Sequence, residues 1–106
     1  MKASEKQTFD STEHFDGWLD TLDELTESRI AFCIRKAEEG KPPKLLKGTD
    51  GIYELSVDTG PGYRLYCYKT GRTSYRLLNG GDKDTQEKDI RTAMEMHRKL
   101  AGGGHG

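Results

Sequence analysis

The chain has 106 residues, enough for one domain and too few for two of ordinary size. Hydrophobic residues make up 32% of it and charged residues 33%, which allows one modest core, and no apolar run approaches the roughly 18–20 residues that span a bilayer. The net charge of −1 is unevenly spread: residues 1–28 hold eight acidic side chains against two basic ones and residues 41–76 seven basic against three acidic, which predicts an acidic helical region and a more basic sheet.

Met1 to Asp10 contains no apolar stretch of the kind that makes a secretory leader, so a cytoplasmic location with no membrane partner is expected. Ser11-Thr12 then reads as a helix cap, with Glu13 and Asp16 placed to favour the helix dipole. Phe15, Trp18, Leu19, Leu22 and Leu25 follow at helical spacing and predict one apolar face. Thr26-Glu27-Ser28 predicts a break and a fresh cap. A second helix is expected from about Ser28 to Glu39, burying Ile30, Cys33, Ile34 and Ala37 and stopped by Gly40 and Pro42-Pro43.

From Ile52 the period changes to two. Tyr53, Leu55 and Val57 alternate with Glu54, Ser56 and Asp58 in a first strand. Thr59-Gly60-Pro61-Gly62 is a turn signal. In the next strand, Tyr63 to Lys69, Tyr63, Leu65 and Cys67 face the core, while Arg64, Tyr66 and Tyr68 are expected on the opposite, partly open side. A third strand runs from Thr73 to Leu78 and is expected to end at Asn79-Gly80-Gly81-Asp82. A last helix, from about Thr85, buries Ile90, Ala93, Met94 and Leu100.

The order α-α-β-β-β-α predicts an α+β domain spanning 1–106, in which an N-terminal helical hairpin and a C-terminal helix pack on one face of a small antiparallel sheet. The ends, about 1–8 and 101–106, are expected to be flexible. Two cysteines, Cys33 and Cys67, lie among apolar neighbours and read as small core residues, and His14, His97 and His105 are scattered, so no metal and no cofactor is predicted.

An ordered set of segments carries a family likeness. Gly60-Pro61-Gly62-Tyr63-Arg64-Leu65-Tyr66 resembles the GPGYR-hydrophobe-Tyr segment of HigB-like addiction-module killer proteins, within the RelE/ParE superfamily of toxins. Leu77-Leu78-Asn79-Gly80-Gly81-Asp82-Lys83-Asp84-Thr85-Gln86, followed by Asp89-Ile90 and Ala93, is similar to that family's ending, and Phe15-Asp16-Gly17-Trp18-Leu19 with Arg29-Ile30 resembles its opening. Glu54-Leu55 matches the start of its ELR strand, with Ser56 in place of the arginine.

The resemblance implies the toxin of a type II toxin–antitoxin pair, with a cognate helix-turn-helix antitoxin as partner. It implies either a metal-independent endoribonuclease that cuts mRNA on the ribosome or a gyrase inhibitor. An inactive partner-binding module is the third reading left open. For RNA cleavage the catalytic candidates are Arg64, which would clamp the phosphate, with Lys83 and Tyr66. Tyr68, Arg72, Arg76, Lys44 and Lys47 are candidate RNA-binding residues.

Overall fold

The computed structural model describes residues 6–102. Three helices and a five-stranded mixed sheet follow the chain as β1 (Thr8–Ser11), α1 (Glu13–Asp20), α2 (Glu24–Glu38), β2 (Lys44–Leu45), β3 (Tyr53–Val57), β4 (Tyr63–Lys69), β5 (Ser74–Asp82) and α3 (Gln86–Gly102). The spatial order is β1-β5-β4-β3-β2, with β1 parallel to β5 and the other pairs antiparallel.

The N-terminal segment corrects one expectation. Gln7 N donates to the Glu38 carbonyl and Thr8 opens a strand, so residues 7–8 are held in place. Residues 1–5 and 103–106 of the expected flexible ends lie outside the described residues, and Ala101 belongs to α3. Phe9 stacks on Tyr75, ring centroids 5.2 Å apart, which anchors this short strand.

Thr12 caps α1 by accepting from Phe15 N at 3.1 Å, and its hydroxyl reaches the Leu77 and Leu78 carbonyls. The break between helices falls earlier than the sequence pattern suggested. Asp23 accepts from Thr26 N at 2.9 Å, a bond that lowers its carboxyl pKa, so α2 starts at Glu24 and leaves Leu25 exposed. A competent cap outweighed the continuing apolar period. At the far end, Gly40 adopts φ 124°, a conformation costly for any side-chain-bearing residue.

The sheet is covered on both faces, which corrects the expectation of one open face. Helices α1 and α2 bury Phe15, Ile30 and Ala37 against Leu55, Val57, Leu65, Cys67, Tyr75 and Leu77. Helix α3 packs on the other side, setting Ile90, Ala93, Met94 and Met96 against Ile52, Tyr66, Tyr68 and Leu78. Leu100, expected inside, is exposed.

Two adjacent glycines make this possible. The strand does not stop at Asn79 but continues through Asp82, and a register shift beside Tyr66 and Cys67 leaves Leu78 without a cross-strand partner and puts Leu78 and Asn79 on the same face, towards α3. A Cβ on Gly80 would collide with the Trp18 ring of α1, and one on Gly81 with the Asp89 and Thr85 side chains at the head of α3. Each glycine thus admits a helix on its own side of the strand.

Candidate functional site

Cross-strand pairing aligns the polar residues in rows. Lys44 on β2 pairs with Glu54 on β3, Glu54 with Tyr66 on β4, and Tyr66 with Asn79 on β5. One step along, Ser56 pairs with Arg64 and Arg64 with Gly81. Directly paired residues share a face, so these side chains converge on the side that carries α3.

Arg64 and Glu54 form the centre. Arg64 Nε lies 3.7 Å from Glu54 Oε2, an ion pair too long for a hydrogen bond, and the two side chains are 24% and 10% exposed. Gln86, from the first turn of α3, donates to Glu54 Oε2 at 3.2 Å. Next to them Thr85 Oγ1 donates to Asp89 Oδ2 at 2.6 Å and Asn79 Nδ2 donates to the Asp89 carbonyl. Among the described residues, the buried side-chain atoms left without a hydrogen-bond partner are Arg64 Nε, Tyr66 Oη and Asn79 Oδ1, all of them in these two rows. Burial leads in pushing the Tyr66 phenol above its ordinary range, helped by the Glu54 and Asp89 carboxylates and opposed by Arg64.

The sequence candidates separate into two groups. Arg64 stands in the row that ends at the exposed Ser56, and Lys44 stands opposite Glu54 on the edge strand. Lys83 is exposed in the 3-10 turn (Lys83–Thr85) capped by Asp82. Its backbone N donates to the Gly62 carbonyl and its side chain lies along Gly62, beside the start of β4.

The rest are not free on an open face. Tyr66 is fully sealed beneath α3, and Tyr68 is buried with its ring 4.5 Å from that of His97. Neither presents a face to a base, because the apolar stripe of α3 covers both. Arg76 is committed to structure: it donates to both Asp10 carboxylate oxygens, at 2.9 and 3.3 Å, and to the Tyr68 hydroxyl. The Asp10 bond leads in raising the Arg76 pKa. Arg72 lies in the β4–β5 turn and Lys47 in the loop after β2, both exposed and away from the Arg64 row.

Glu54 and Gln86 were not among the sequence candidates. The alternation that put Arg64 outward also put Glu54 outward, so the carboxylate was readable as its neighbour. Gln86 was not, because its reach to Glu54 depends on α3 crossing the sheet. Among the described residues no three His, Cys, Asp or Glu side chains gather as a metal site.

Comparison with known proteins agrees with the fold. The family profile described as "Phage derived protein Gp49-like (DUF891)" matches residues 17–98. A Haemophilus influenzae chain called only "Uncharacterized protein" is 38% identical over 87 residues, covering 81% of this chain and 88% of its own. Among solved structures, a free-state mutant of the E. coli toxin RelE superposes with a TM-score of 0.69 at 13% identity, covering 87% of this chain and 97% of that one. The toxin–antitoxin complex RelBE2 of Mycobacterium tuberculosis gives 0.59 at 16% identity, covering 74% and 92%. The fold is therefore that of RelE toxins, as the likeness of the GPGYR and GGDK segments implied.

Proposed function

Because the chain belongs to the phage-derived Gp49-like family and has the RelE fold, we propose that it is the toxin of a toxin–antitoxin pair and acts as a metal-independent endoribonuclease on ribosome-bound mRNA. The observation that carries this reading is the half-buried Arg64–Glu54 pair, which bridges the two polar rows with Lys44 opposite and Gln86 behind.

In this reading the RNA 2′-hydroxyl attacks the adjacent phosphorus. Glu54 takes the 2′ proton, and Arg64 balances the charge that grows on the phosphoryl oxygens, with Lys83 as a second cation. The bond to the 5′-oxygen breaks and that oxygen takes a proton from water, leaving a 2′,3′-cyclic phosphate and a 5′-hydroxyl. Tyr66 plays no part while α3 covers it. A cognate antitoxin is the expected partner; the RelBE2 toxin was itself solved with one.

Induced expression tests this in cells carrying an SOS reporter. Wild type arrests growth and fragments transcripts without inducing the reporter, and Arg64→Ala and Glu54→Gln relieve the arrest. Reporter induction with intact transcripts would assign the chain to gyrase inhibition instead. Normal growth with intact transcripts would leave it a binding module.

A further inference from the structure

A cleft of about 550 Å³ lies between α2 and the free edge of β3, within the ~300–1,000 Å³ of ordinary ligand sites. Its rim is cationic. Arg29 and Lys36 stand on α2, Lys41 and Lys44 on the segment that returns to the sheet, against Glu54 and Asp58 on β3 and just after it. Phe32 lies between the α2 cations with 56% of its surface exposed, and Lys36 Nζ is 5.5 Å from its ring centroid. Glu54 and Ser56, the residues that pair with Tyr66 and Arg64, are among those that line it.

We propose that this cleft is a binding groove for single-stranded RNA, leading the strand along α2 and over the edge of β3 to the Arg64–Glu54 site on the other face of the sheet. Four cations against two carboxylates suit a phosphate backbone. An exposed aromatic ring beside cations is the usual platform for a stacked base. Lys44 joins the groove to the site, since it lines the one and faces Glu54 in the other. Continuity with a site built for a phosphodiester favours RNA over an acidic peptide as the occupant. The proposal rests on the endoribonuclease reading for its direction, but binding is separable from cleavage.

The probe is a short fluorescein-labelled single-stranded RNA whose 2′-hydroxyls are methylated, so that it binds without being cut. Anisotropy titrations over a range of salt compare wild type with Lys36→Glu/Lys41→Glu, Phe32→Ala and the distant control Lys99→Glu. The double variant is expected to weaken binding at least tenfold and to flatten the slope of log affinity against log salt by about 0.7 for each phosphate no longer neutralised. Phe32→Ala is expected to cost about tenfold with the salt slope unchanged, and Lys99→Glu to change affinity less than twofold. Equal affinity in wild type and all variants overturns the groove. So does displacement of bound RNA by poly-glutamate together with groove-dependent binding of poly-glutamate alone at higher affinity, which would make the surface a peptide site. Absence of transcript cleavage with groove-dependent RNA binding intact would sink the endoribonuclease reading and leave the groove standing.

Discussion

At the scale of single residues, the side chains that look most chemical divide by what surrounds them. Arg76 carries the same guanidinium as Arg64, but Asp10 and Tyr68 hold it in place. Arg64 faces Glu54 at ion-pair distance without a hydrogen bond on Nε. The sequence distinguishes the two only through partners distant along the chain, and those it does not display. Gly81 shows the same limit. Read alone it marks the end of a strand, yet in the fold it makes room for Asp89 and Thr85. Gly81→Ala is expected to cost about 1–3 kcal/mol through overpacking, seen as a lower denaturant midpoint.

Burial also sets an alkaline limit. It pushes the Cys67 thiol up to about 12, and burial is the leading reason the Tyr66 phenol is raised. Above the ordinary thiol range, near 8.5, the unfolded chain loses the Cys67 proton while the folded chain keeps it. The stability this contributes is full below that range and is lost as pH rises toward about 12, with a slope up to about 1.4 kcal/mol per pH unit. Unfolding free energies measured from about pH 8 to 11 should therefore fall, and Cys67→Val should flatten the fall. An unchanged slope in that variant would show that burial of this thiol is not the cause.

At the scale of elements, alternation made β3 and β4 legible with their faces correct, because one side of each is apolar throughout. The short strands β1 and β2 were not legible, since four and two residues carry too little period. The side of the sheet taken by α3 was also hidden. Its apolar stripe states that it packs but not on which face, and the answer lies in the two glycines of β5. The start of α1 was readable from Thr12, which also fastens the helix to β5 through the Leu77 and Leu78 carbonyls. Thr12→Ala should cost about 1–2 kcal/mol, and Thr12→Ser should restore most of it in thermal or denaturant melts.

At the scale of the molecule, charge and covering divide the surface. Acidic side chains gather on α1 and the start of α2, while the cations Arg29, Lys36, Lys41 and Lys44 rim the cleft that Glu54 also lines. Under the proposed function, this arrangement would let a near-neutral chain hold a polyanion, because the attraction is local to one groove rather than spread over the surface. The expectation of an open sheet face lined by tyrosines fails, and what remains of that face is its end, where Ser56, Arg64 and Glu54 meet.

The most direct measurement follows a defined mRNA by primer extension after purified protein is added, with and without translating ribosomes. Wild type should give new 5′ ends only when ribosomes are present. Glu54→Gln and Arg64→Ala, confirmed folded, should each lower the cleavage rate by roughly 10²–10⁴, and Tyr66→Phe should cut as wild type does. An intact message with wild type on translating ribosomes, or undiminished cleavage by folded Glu54→Gln and Arg64→Ala, would contradict the assignment.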